Sequence, residues 1–363
     1  MNGSEWFPEA AQRLSQELAD PDAPYLGAHV VSEFIYCPRA GIVTFEQRND
    51  DVGSDLESAP NLGGLPPLSL TEIEASLVRL RDKLKLAVAW GFGLVVLTLL
   101  GVFSFGWFIL FFCAVPLYVT GRCLNETLHQ YVALRALRED ALSAAVREPD
   151  WSLRQPQPIN WWCLLRAGFA SHEPVSPLVD RDLHLAGKPF RILQRGATHV
   201  PVMLVNVNDA EDDLRRQGRL RPPQRARLAA YAYLLHQVQR TQTDWAIVLF
   251  KGSFDGVAVP IDQTMLRLFS EGLVAARVNL TESQSQADYS PHPTRGTSPC
   301  VNCPHGKPTK DQESFRFRGV PVTQFYTSSR DGTLFHSACG DRFRWVPPHT
   351  DASKLGLTPE KFQ

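Results

Sequence analysis

The residues best spaced for chemistry stand near the end of the chain. Cys300-Val301-Asn302-Cys303 is followed by His336-Ser337-Ala338-Cys339, and each pair places two soft or borderline donors on one tight turn. Two such turns facing one another make the tetrahedral donor set of a structural zinc ion. The strand-like stretches 315–326 and 342–346 around the second pair suit a ribbon fold. A second group is basic: Arg215, Arg216, Arg219, Arg221, Arg225 and Arg227 crowd into a short run where a phosphate backbone could lie, though an Arg-rich loop can also be simply a solvated surface. A third is acidic. Asp180, Asp182, Glu211, Asp212 and Asp213 are the carboxylates closest in sequence to the two strongest strand patterns, and carboxylates there are the raw material of a magnesium site.

The elements that must position these groups are read from periodicity. Between 183 and 207, two apolar runs flank the turn Gln194-Arg195-Gly196-Ala197, which predicts a β-hairpin. A basic amphipathic helix is expected from Pro223 to Gln239, with Leu228, Tyr231, Leu234 and Leu235 at helical spacing. Strands at Trp245–Phe250 and Val257–Ile261 follow, and a helix from Gln263 to Leu280 closes the unit. Upstream, 28–47 reads as one helix with Ser32 as its N-cap. Hairpin, helix, hairpin, helix describes a small α/β core.

The words GKPFRIL, HVPVMLV and RxRLAAYAYLL, the early Tyr36-Cys37-Pro38-Arg39 and the late Cys-x-x-Cys resemble, in that order, the RecB-like branch of the PD-(D/E)XK nucleases. The resemblance is strongest to the CRISPR-associated exonucleases of that branch, and it covers 27–47 and about 180–303. It implies a restriction-endonuclease-like core in which an Asp on one strand and a Glu-x-Lys on the next hold a divalent metal. On this sequence those positions fall on Phe190, Met203 and Val205, which cannot ligate a hard cation. A register shifted by one residue brings in Lys188 or Asn206 and still supplies no pair of acids. The helix position where the family has Gln is Arg227, and only Tyr231 matches. His129 corresponds to a metal-binding histidine of the family's first helix, so His129 and Tyr231 read as relics. Asp180 and Asp182 are the fallback for a relocated site. The resemblance also implies an iron–sulfur cluster ligated by one early and three late cysteines. Cys37, Cys300 and Cys303 match three of these, with Cys339 as a candidate fourth. Two completions therefore stand: a zinc ribbon of Cys300, Cys303, His336 and Cys339, or a cluster that includes Cys37.

The stretch 86–120 carries no charged residue, which makes it a membrane-spanning candidate. One helix of that length would reach roughly 50 Å, more than a bilayer core of about 30 Å, so two short passes with a turn near Gly101–Gly106 are expected. Arg79, Arg81, Lys83 and Lys85 before it and Arg122 after it place both ends in the cytoplasm, beneath a cell inner membrane. The organisation expected is an N-terminal segment (1–26), the first part of the core (27–48), a linker (49–69), a helical stalk (70–148) around a transmembrane hairpin (86–120), the second part of the core (159–280), a linker (281–299) and a Cys-rich ribbon (300–350). Trp161 and Trp162 are expected to pack in a core rather than lie at a membrane interface.

A net charge of −1 in 363 residues argues against strong non-specific nucleic-acid binding by the whole molecule, so any DNA contact must be local. The start of the chain lacks the pattern of a signal peptide. The sequence thus predicts a membrane-anchored, nuclease-like α/β protein with a degenerate active site, holding zinc or iron–sulfur rather than magnesium. Its partner would be a protein or DNA. The alternatives are a metal-dependent DNA nuclease with relocated acids and a structural membrane scaffold.

Overall fold

A computed structural model describes residues 6–46, 69–143, 148–205, 220–241, 243–250, 254–286, 289 and 291, together with the backbone of five short strands between 306 and 337. The chain divides into two units, one made of 1–61, 149–159 and 169–363 and the other of 62–148 and 160–168. The architecture is mixed α/β.

The first unit begins with α1 (Trp6–Leu18), β1 (Leu26–Gly27), α2 (Ala28–Tyr36) and α3 (Pro38–Glu46). The single helix expected over 28–47 is therefore two. Cys37, the residue before Pro38, is extended, because the proline ring disfavours helical backbone at the preceding position. Ser32 is not an N-cap: it lies inside α2, and its hydroxyl donates to the His29 carbonyl at 2.7 Å. The two helices turn back on each other closely at Gly41, where a Cβ would meet the Phe34 ring at 2.5 Å.

Next come β2 (Gln157–Asn160), α6 (Trp161–Arg166, in the second unit), β3 (Ala170–His172), β4 (Leu178–Asp180), β5 (Leu185–Gly187), β6 (Arg191–Arg195) and β7 (Thr198–Val205). Then follow α7 (Pro222–Gln239), β8 (Trp245–Phe250), β9 (Asp255–Pro260) and α8 (Gln263–Ser285). The main sheet has the order β2-β9-β8-β7-β6-β3. The expected hairpin is β6–β7, closed by the two residues between Arg195 and Thr198, with Gly196 at φ 61 as the tight turn requires. β7 and β8 are parallel, which is why a whole helix, α7, separates them in sequence.

Two expectations change here. The first apolar run does not form one strand: Leu185–Gly187 joins a separate small sheet between β1 and β4, and the chain crosses to the main sheet before Arg191. Helix α7 is not amphipathic either. Ala226 and the whole run Leu228–Leu235 are buried, because β4, β5, β7, α2 and α8 all pack around it. Gly187 permits that packing, since a Cβ there would lie 2.6 Å from Leu234. Helix α8 runs to Ser285, so the linker expected from 281 starts later.

The second unit is dominated by α4 (Leu70–Phe105) and α5 (Phe108–Ser143), joined at Gly106–Trp107. Ser69 caps α4 by accepting from the Glu72 N–H at 3.1 Å. Glu74 pairs with Arg138, and Gly91 stands against Thr120, so the chain returns alongside itself. The residues turned inward, Ile73, Leu77, Leu80, Leu84, Ala87 and Gly91 on α4 and Leu117, Thr120, Leu124, Thr127, Tyr131 and Leu134 on α5, alternate at spacings of four and three. That is the seam of an antiparallel coiled coil. Among the described residues, 70–104 is the one helix long and apolar enough to cross a membrane. Trp161 and Trp162, on α6 beside this pair in sequence space, are buried.

Near the C-terminus the backbone forms β10 (Gly306–Thr309), β11 (Ser314–Phe317), β12 (Val320–Thr323), β13 (Phe325–Thr327) and β14 (Leu334–Ser337). They pair antiparallel as β10-β14-β13 and β11-β12.

Candidate functional site at the paired strands

The candidate site lies on the helix-covered face of β6 and β7. Arg191 pairs with Val202, and Phe190, at the bend just before β6, donates its N–H to the same Val202 carbonyl at 2.9 Å. Because side chains alternate along a strand, Met203 and Val205 share their face of β7, and across the parallel ladder they sit beside Val248 and Phe250. Met203 is buried in the apolar core with Ile192, Val248, Phe250 and Tyr231, and Val205 packs at its margin. Phe190 is half-buried, with the Arg191 guanidinium over its ring. A carboxylate at position 203 would face hydrocarbon, a cost of several kcal/mol unless paired.

From α7, Arg227 donates through Nε to the Tyr231 hydroxyl at 2.9 Å. Arg225 is held at 3.3 Å by Asp262, the residue whose side chain caps α8. Arg221 precedes the helix, and its N–H donates to the Gln224 side chain. The guanidinium groups of Arg225 and Arg227 therefore have partners within the chain. Arg215, Arg216 and Arg219 lie outside the described residues.

Of the candidate carboxylates, Asp180 has a structural role. Asp180 is buried; Oδ1 accepts from the N–H groups of Asp182 and Leu183 at 2.9 and 3.4 Å, and Oδ2 accepts from the Tyr233 hydroxyl at 2.6 Å. It thus ties the β4–β5 turn to α7. Burial, reinforced by the Asp180 carboxylate, pushes the Tyr233 phenol well above its ordinary range. Asp182 is exposed. Nearby, Arg277 donates to the carbonyls of Leu18 and Leu183 at 2.6 and 2.9 Å, fastening α1 and the same turn to α8.

The sequence pointed to neither Tyr233 nor Arg277. The signal for Tyr233 was the unbroken apolar run Ala226–Leu235, interrupted only by Arg227: a helix without a polar face has no surface on which a tyrosine can sit. Glu211, Asp212 and Asp213 lie outside the described residues. His129 is exposed on α5, in the other unit.

No group of three or more His, Cys, Asp or Glu side chains able to hold a metal occurs among the described residues. Cys300, Cys303 and Cys339 lie outside them, and His336 is described as backbone alone, paired with Lys307 and Phe325. Cys37 is half-buried at the α2–α3 junction, and two residues on, Arg39 donates through Nε to the Pro291 carbonyl at 2.8 Å. Neither the protein-family models nor the curated proteins compared with this chain contain a match.

Proposed function

We propose that this chain is a membrane-anchored protein on a RecB-like PD-(D/E)XK nuclease scaffold that has lost metal-dependent hydrolysis and engages a protein partner at the cytoplasmic face of an inner membrane. One observation carries the reading. The positions that the resemblance assigns to metal-binding acids hold Phe190 and Met203, with Val205 in place of the lysine, and Met203 is buried in the apolar core beside Val248. Filled with hydrocarbon, the same positions bind no magnesium.

The arginines favour a protein over nucleic acid. The guanidinium groups of Arg225 and Arg227 are turned to Asp262 and Tyr231, which leaves less cationic surface for phosphates than the run of arginines alone would offer. Anchorage rests on the two legs of α4 and α5, inserted as a helical hairpin. The C-terminal cysteines and His336 form a zinc ribbon in this reading. It is supported by the pairing of Gly306 with Ser337, residues that lie close in sequence to Cys303 and Cys339.

The test is the purified full chain in detergent, offered supercoiled and linear DNA with magnesium or manganese. No cleavage is expected, and zinc rather than iron should accompany the protein in elemental analysis. Metal-dependent cutting that disappears in Asp180→Asn or in the exposed Asp182→Asn would establish a relocated nuclease site and overturn the proposal.

A further inference from the structure

Assuming the membrane reading just given, the register between α4 and α5 fixes how deep the pair can go. Gly91 stands against Thr120, its Cβ position 3.6 Å from Thr120 Cγ2, and Glu74 against Arg138. In an antiparallel pair with that register, Arg122 lies level with Ala89 and Glu126 level with Lys85. Arg122 and Glu126 form an ion pair at 3.0 Å, and so do Lys85 and Asp82 at 3.4 Å. A charged collar therefore rings both helices just short of Trp90, so the apolar stretch Leu86–Ala89 faces headgroups rather than hydrocarbon.

Beyond the collar the surface changes character. Phe92 is 71% exposed, Leu97 65%, Phe103 89% and Phe112 69%. Two threonine hydroxyls inside this region are closed upon their own helices. Thr98 donates to the Leu94 carbonyl at 2.6 Å and Thr120 to the Pro116 carbonyl at 2.8 Å. Closure of that kind is what a water-free surrounding demands. Both ends of the zone carry an exposed tryptophan, Trp90 at 65% and Trp107 at 77%. Tryptophan is the side chain favoured at the two membrane–water boundaries.

From Trp90 to Trp107 is about 26 Å of helix at 1.5 Å per residue, against a hydrocarbon core of about 30 Å. We infer that α4 and α5 cross one bilayer upright, with Trp90 and Arg122 at the near boundary and Trp107 at the far one, in a span several ångströms too short for a bilayer of ordinary thickness. Emergence of the tip on the far side then depends on lipid thickness, because a short span thins the bilayer or fails to cross it.

The test uses the full chain inserted into preformed vesicles, so that its large first unit stays outside. A membrane-impermeant maleimide is trapped in the lumen, and labelled sites are read by mass spectrometry. In short-chain phosphatidylcholine, Ser104→Cys is expected to be labelled from the lumen while native Cys113, midway along α5's apolar leg, stays unlabelled. In long-chain phosphatidylcholine the Ser104→Cys label is expected to be lost. No labelling of Ser104→Cys in thin bilayers, equal labelling in thin and thick ones, or labelling of Cys113 from the lumen would each overturn the inference. A chain that does not float with vesicles at all would instead refute the membrane anchor on which it rests.

Discussion

At the residue scale, Tyr233 and Asp180 show how an acid in the right neighbourhood can have a purely structural task. The phenol donates a 2.6 Å hydrogen bond to a buried carboxylate whose other oxygen holds two backbone N–H groups of the β4–β5 turn. Tyr233→Phe would strip that oxygen of its donor at a cost of about 1–3 kcal/mol. The pH dependence has a definite sign. The folded phenol holds its proton above the ordinary value of 10.0, so its contribution is complete below that pH and fades as pH rises beyond it. Thermal unfolding of the two proteins in detergent should therefore show a gap that is constant from neutral pH to about 9 and narrows above about 10. A gap that persists unchanged into strong alkali would mean that the Tyr233 hydrogen bond is not what the variant loses. A residue-by-residue alignment could find the positions of Phe190, Met203 and Asp180. That Asp180 is spent on a turn and a tyrosine could be learned only once β4 and α7 were seen side by side.

The elements make a similar division between what local chemistry determines and what only packing determines. The β6–β7 turn was legible because Gly196 supplies the positive φ that a two-residue connection needs. Strands β8 and β9 and helix α8 were legible from continuous or periodic apolar runs. The break between α2 and α3 was written in Pro38, and the long apolar periodicity on both sides masked it. The departure of Leu185–Gly187 to a second sheet was not legible, since alternation tells which face a side chain takes and not which sheet the strand joins. Nor was the burial of the middle of α7, which comes from elements packed on several of its sides. The glycines give an element-scale test. A Cβ at Gly256 would lie 2.3 Å from the Val248 backbone carbonyl, inside the β8–β9 ladder, where no side chain can move aside. At Gly196 nothing lies within 4 Å, and only the φ of 61 resists substitution. Gly196→Ala should cost about 1–2 kcal/mol, whereas Gly256→Ala must spread two strands and should cost more, about 3 kcal/mol. If calorimetry ranks them the other way, the close β8–β9 approach is not a feature of the protein in solution.

For the whole molecule, the physical problem is an α/β unit of ordinary solubility whose chain is interrupted by two helices clad in hydrocarbon. Water offers no stable home for that surface: Trp90, Phe92, Leu97, Leu100, Phe103 and Phe112 are each more than half exposed in the second unit. The coiled-coil seam buries only one stripe of each helix and leaves the outer apolar stripe of 86–104 exposed; in the proposed membrane anchor, lipid covers it. Charge on the outer surface should be expelled from lipid, at about 2.5–3.5 kcal/mol for each Arg or Lys near the middle of a span. The seam is untouched by such changes. A chain carrying Leu97→Arg and Leu100→Arg is therefore predicted to keep the helicity of α4 and α5 and to leave the membrane fraction after alkaline carbonate washing, while the parent chain remains in it. The conservative pair Leu97→Val and Leu100→Val should stay with the membrane, which separates loss of hydrocarbon contact from loss of packing. Were the doubly charged chain retained in the membrane as firmly as the parent, the exposed stripe of α4 would have to be covered by protein rather than lipid, and the anchor would have to be sought elsewhere in the sequence.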